Sequence, residues 1–196
     1  FDNWRVQLQE WVKDESWETI RYLQIFYDAR VLHGKGEFMH QLKSFIYEYQ
    51  LQHPILLSRF SANVEHVKNV IGPVGQLLVE RHGLYHGCVN LKYSGFLPYV
   101  NAIRLLSIKE GVMETSTLAR MNKLIKMQKY RSLLKYSDRN FVDLLTYRLT
   151  LSQVDSYSDT HYLHIEELNK TEQKDIKGII KGGIKLHREV IAMMKK

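Results

Sequence analysis

Apolar residues recur at spacings of three and four along almost the whole chain, while sustained period-two alternation is scarce. Ile20, Leu23, Tyr27 and Val31 fall on one face of a helix, and so do Phe38, Leu42, Phe45, Ile46 and Tyr49. Because a helix turns once every 3.6 residues, such spacing gathers apolar side chains into a stripe that must be buried. The pattern therefore predicts an all-α fold, a bundle of seven or eight helices. At 196 residues, with 44% apolar and 25% charged residues, a single domain can build its core without disulfides or metal.

Punctuation by capping and turn residues places the helices. The first covers residues 2–13. A second follows Asp14 and Ser16, either of which can accept hydrogen bonds from the free N–H groups of a helix start, and it stops near Gly34. A third covers 37–52, where His53-Pro54 breaks it, because proline disfavours helix in the residue before it. A fourth covers 54–70, and Gly72-Pro73-Val74-Gly75 is a turn. Residues 76–94 are the least helical, and a small β-hairpin is expected there from Leu77-Leu78-Val79 and Gly87 to Leu91. Helices follow over 96–109, closed by Gly111, over 117–127, capped by Thr115 or Ser116, over 130–154, and over 171–195. Residues 155–159 read as a polar loop. Gly178, Gly182 and Gly183 weaken the last helix, and their spacing suggests that a neighbour approaches closely.

The net charge of +7 is unevenly spread. Lysines and arginines balance acids at ten each over residues 1–103, then outnumber them ten to four over 104–148 and eight to three over 170–196. Such a basic C-terminal half can meet an anionic partner, or can be a solvated surface. The lone Cys88 has no intramolecular partner, which fits a reducing, cytoplasmic setting. No apolar stretch approaches the roughly 20 residues of a membrane span, so no membrane association is expected. The start at Phe1, directly in helical sequence, reads as the C-terminal fragment of a larger multidomain protein.

Common catalytic motifs are missing. No Asp is followed two residues later by Asp or Glu, the pairing that holds magnesium on nucleotide phosphates, and there is no phosphate-binding glycine loop, His-Asp dipeptide or His-Glu-x-x-His. His82, His86 and Cys88, and the pair His161 and His164, have metal-like spacing but lack the four ligands of a structural zinc site. No metal is expected. Three stretches set charges among apolar residues. In Phe26-Tyr27-Asp28-Ala29-Arg30, Asp28 and Arg30 are expected to form an ion pair with a neighbouring helix. In Asn90 to Arg104, Lys92 precedes a helix start, an arrangement competent to bind anions. In Thr115-Ser116-Thr117-Leu118-Ala119-Arg120, the hydroxyls and N–H groups of a second helix start lie just before Arg120.

Taken in order, Phe26 to Arg30 with Gly34, Gly72 to Gly75, the Leu-Lys-x-x-Gly-x-x-Pro run from Leu91 to Pro98 with Arg104, and Thr115 to Arg120 resemble the family described as putative nucleotidyltransferase substrate-binding domain. That family is found at the C-terminus of bacterial proteins that also carry CBS domains and a catalytic domain like that of PII-protein uridylyltransferases. The sequence departs from it at Asn90 and Asn101, amides where the family has acids, and in lacking a His-Gln pair after Arg148-Leu149. The resemblance implies a signal-transduction protein whose catalytic nucleotidyltransferase and CBS domains lie upstream. Magnesium and a nucleoside triphosphate belong to that parent protein, and no cofactor to this fragment, which by itself transfers nothing.

Lys92, Arg104, Thr117 and Arg120 are therefore the candidate substrate or anion contacts, with Asp28 and Arg30 holding the adjoining helix, and no residue is catalytic. The partner they would meet is a nucleotide or an acidic protein acceptor. An oligomer stays open. The competing reading is a basic helical module for nucleic acid or protein. Against nucleic acid, the aromatics interleave with apolar residues at helical spacing, so most are expected in the core.

Overall fold

The computed structural model describes residues 1–14, 16–150 and 157–196. They form nine α-helices and a two-stranded antiparallel sheet, divided between two compact units. No helix among them is long and apolar enough to cross a membrane.

The first unit comprises residues 1–66, 102–131 and 190–196. It begins with α1 (Asp2–Lys13), α2 (Trp17–Tyr27), α3 (Gly36–Gln52) and α4 (Ile55–Asn63). Of the two candidate caps it is Ser16 that opens α2, its Oγ accepting from the Thr19 N–H at 3.3 Å. The apolar stripes then meet, and Leu8, Val12, Ile20, Leu23, Ile46, Leu56 and Phe60 are buried. Most of α5 (Leu97–Glu110) and all of α6 (Thr117–Lys126) and α7 (Gln128–Arg131) belong here too. Gly111 closes α5 with φ +66°, where Tyr47 crosses so closely that a Cβ would lie 3.1 Å from its ring. Ser116 caps α6 by accepting from the Ala119 N–H at 3.1 Å.

The second unit comprises residues 67–101 and 132–189. Residues 71–77 make the expected turn, with the Gly72 N–H donating to the Gln76 carbonyl at 2.9 Å and Gly75 at φ +80°. Strand β1 (Cys88–Asn90) pairs with β2 (Tyr162–His164), Val89 opposite Leu163. One strand thus lies in the region expected to be extended and its partner far along the chain, whereas Leu77 forms only an isolated bridge to Ile71. After β1 comes a π-helical turn (Lys92–Phe96) that runs into α5. The helices α8 (Ser137–Thr150) and α9 (Lys170–Met194) complete the unit.

Four helix boundaries differ from the sequence reading. The helix expected to reach Gly34 stops at Tyr27, where the Tyr27 carbonyl accepts from the Arg120 guanidinium at 3.3 Å. Val31, expected on its buried face, is exposed in the loop that follows. The fourth helix stops at Asn63 rather than Val70, where the Asn63 side chain donates to Gln24 at 2.6 Å. The single helix expected over 130–154 is two, α7 and α8, joined by turns at 132–136 that no glycine or proline announces; this raises the count to nine. The rest of that expected helix, residues 151–154, and part of the polar loop, 155 and 156, lie outside the described residues. Finally, α9 is opened by Asn169, whose Oδ1 accepts from the Thr171 and Glu172 N–H groups while Glu172 accepts from the Asn169 N–H. This reciprocal cap satisfies otherwise orphaned donors.

Candidate functional site

In the first unit the candidate residues converge on Asp28, at the end of α2. Arg104, from α5, donates to Asp28 Oδ2 through Nε at 2.8 Å, and its Nη2 stands 2.5 Å from the same oxygen. Arg120, from α6, donates through Nη1 to Asp28 Oδ1 at 2.6 Å. The rest of its guanidinium is taken up by carbonyls, Nε by Glu114 at 2.6 Å and Nη2 by Tyr27. Arg120 is only 2% exposed, so a charge that would be costly to bury alone is held by one carboxylate and two backbone oxygens. The Tyr27 ring lies 5.6 Å from the Arg120 guanidinium, and its hydroxyl donates to the carbonyls of Val112 at 3.1 Å and Ser107 at 3.3 Å.

Lys43, from α3, enters the same knot at 3% exposure. Its Nζ stands over the Tyr27 ring at 5.7 Å and donates to the Met113 carbonyl at 3.5 Å. Burial and the nearby Arg120 push its pKa down to about 8, against the pull of Asp28. Burial also drives the Tyr27 hydroxyl well above its ordinary range. Two arginines and a lysine thus surround one acid. The arrangement joins α2, α3, α5 and α6 and turns Arg120 entirely towards protein groups.

Lys92 belongs to the second unit, half-buried in the π turn that leads into α5. Asn90 sets the turn by accepting from the Tyr93 N–H at 3.1 Å, while the Ser94 hydroxyl donates to the Asn90 carbonyl at 2.6 Å. Gly95 is buried there because a Cβ would come within 3.1 Å of Leu144. A local widening of the helix to π geometry re-aims side chains and is frequent at functional sites. Lys92 Nζ stands 5.7 Å from the Tyr93 ring and 5.9 Å from the Tyr157 ring. No carboxylate pairs with it among the described residues.

The same unit holds a groove of about 800 Å³ between α8 and α9, whose lining includes Arg139, Asp143, Tyr147, Glu172, Lys174 and Asp175. Burial and the three carboxylates together raise the Tyr147 pKa. Arg139 and Lys174 in the same lining offset two of the three carboxylates, so the groove is of mixed charge.

The structure therefore brings Arg104 and Arg120 together on Asp28 and places Lys92 in the other unit. Thr117 is the first residue of α6, half-buried behind the Ser116 cap. Asp28 makes the expected ion pair, with two partners, whereas Arg30 is exposed in the loop after α2. Of the metal-like trio, Cys88 is buried and His82 and His86 are exposed; no group able to hold a metal ion gathers among the described residues. Sequence reasoning missed Lys43, which sits at the i+1 position from Leu42 and reads as solvated.

These features describe a helical chain of two units, one with Arg104 and Arg120 paired to Asp28 and the other with Lys92 half-buried at a distorted helix start. The chain matches the family described as "Putative nucleotidyltransferase substrate binding domain" over residues 54–192, and it belongs to that family. The match takes in Lys92, Arg104 and Arg120, while Asp28 lies before it. No curated protein and no solved structure matches the chain.

Proposed function

We propose that this chain is the substrate-binding part of a bacterial, cytoplasmic signalling protein of the PII-uridylyltransferase-like type, and that it positions a nucleotide or an acidic acceptor beside a catalytic domain. In this reading the catalytic domain supplies the magnesium cage and the transfer chemistry, CBS modules supply regulation, and the helices described here transfer nothing. Membership of the substrate-binding family supports it. The observation that carries it is Lys92, a half-buried cation with no carboxylate partner among the described residues, in a chain whose Arg104 and Arg120 are already paired with Asp28.

A charge-assisted contact in a partly desolvated site contributes on the order of 1.5 to 3 kcal/mol. Titration of the protein with nucleoside triphosphates should accordingly give binding that Lys92→Ala weakens by about tenfold or more. Arg104→Ala should act chiefly on stability. Tighter binding of RNA than of any nucleotide, with an affinity that falls steeply with salt, would instead favour a nucleic-acid module.

A further inference from the structure

We propose that the outer face of α9, together with the turn at residues 71–77, is a docking surface for an acidic segment of a partner protein. The inference rests on the substrate-binding reading above: it gives the acidic acceptor a surface of its own, while Lys92 keeps the nucleotide.

Every residue of this surface belongs to the second unit. Lys177, Lys181, Lys185 and Arg188 follow one another at spacings of four, four and three, so they share one face of α9. From the first to the last the helix rises about 16 Å, a longer row than one phosphoryl group needs. A charged row alone is an ordinary solvated face. The turn beside it gives this one a shape. Gly75 holds φ +80°, and the Lys177 Nζ stands 3.7 Å and the Lys181 Nζ 4.0 Å from the place where its Cβ would lie. Two ammonium groups thus meet over one glycine, and like charges so close repel unless an anion lies across them. Lys181 also lines a cavity of about 360 Å³ with Lys185, Arg188, Ile71 and Ile184. The one acid in its described lining is Glu189, 3.9 Å from Lys185. Three cations and one carboxylate leave that lining positive. Asn69 fixes its edge, accepting from the Ile71 N–H at 3.0 Å and donating to the Ile71 carbonyl at 3.2 Å.

Apolar groups decide between a protein and a nucleic acid. Val74, in the turn, is 88% exposed, and Ile71 and Ile184 give the cavity an apolar wall. No aromatic side chain is in its described lining or in Gly72 to Gln76, so a base finds nothing there to stack on. Carboxylates one helical turn apart on the partner match the lysine spacing, and an apolar side chain between them meets Val74 or the cavity wall.

The test is an NMR titration of isotope-labelled protein with a helical peptide that carries glutamates four residues apart and leucines between them. Single-stranded RNA of equal charge and a nucleoside triphosphate are titrated separately. The peptide should shift amides of residues 69–77 and 177–188. Its Kd should rise about tenfold or more in the double variant Lys181→Glu and Arg188→Glu, and about threefold or more in Val74→Ser. Lys126→Glu, at an exposed lysine of the other unit, should leave it unchanged. The wild-type shifts decide without relying on any variant's folding. Shifts confined to other parts of the chain, or no peptide binding at low salt, overturn the surface. RNA bound as tightly as the peptide, or an affinity indifferent to Val74→Ser, overturns the protein partner. Triphosphate binding that persists when the peptide fails leaves the substrate-binding reading standing; failure of both overturns both.

Discussion

At the scale of single residues, Asp28 decides whether the first unit can bury Arg120. Asp28→Ala leaves a guanidinium at 2% exposure with no counter-charge. Breaking a buried pair costs roughly 3 to 5 kcal/mol, and the partial exposure of Asp28 argues for the low end. Chemical denaturation should show a loss of about 3 kcal/mol, and Arg104→Ala, at the wetter partner, a smaller one. Lys43 gives a pH signature. Its pKa is about 8 when folded, against an ordinary 10.5. Between these values the unfolded chain binds more protons, so stability rises with pH. The stability of wild type relative to Lys43→Met should therefore climb from pH 8 to 10.5 and stay flat below that window. The charged stretches around Asp28, Lys92 and Arg120 could be read from sequence because charges among apolar residues need partners. Lys43 could not, since nothing local distinguishes a lysine beneath a tyrosine ring from one in water.

At the scale of elements, α9 separates tolerance from tight packing within one helix. Gly183 faces Tyr99, whose ring would stand 2.7 Å from an added Cβ, and Gly182 faces Asn140 and the Tyr99 hydroxyl at 3.0 Å. Gly178 opens onto space. Gly183→Ala should cost about 1 to 3 kcal/mol through overpacking, whereas Gly178→Ala should stabilise by about 0.5 to 1 kcal/mol through helix propensity. A thermal melt of the two variants should move in opposite directions. Removing the Asn169 cap as Asn169→Ala should cost about 1 kcal/mol. Helix existence was legible from the apolar spacing, and so were the caps at Ser16 and Ser116 and the stop at Gly111. The cap at Asn169, with Glu172 three residues on, was equally readable in sequence. The ends of α2 and α4 were not, because bonds from distant side chains, Arg120 to the Tyr27 carbonyl and Asn63 to Gln24, accompany those ends. The partner of β1 was likewise hidden, since strand pairing across more than 70 residues leaves no local mark.

For the whole molecule, the central claim is that a chain of the nucleotidyltransferase substrate-binding family meets its substrate's phosphoryl end through Lys92 rather than through the Asp28 knot or the groove between α8 and α9. The family and the candidate cations were within reach of the sequence, but their division was not. Arg104 and Arg120 have found a carboxylate, where Lys92 has none among the described residues, and that carboxylate stands where α2 ends. The most direct measurement is a crystal structure of the protein soaked with a nucleoside triphosphate. Phosphate oxygens within hydrogen-bond distance of Lys92 Nζ are the expected result. A triphosphate seated on Arg104 and Arg120 with Asp28 displaced, or in the α8 and α9 groove, would contradict it.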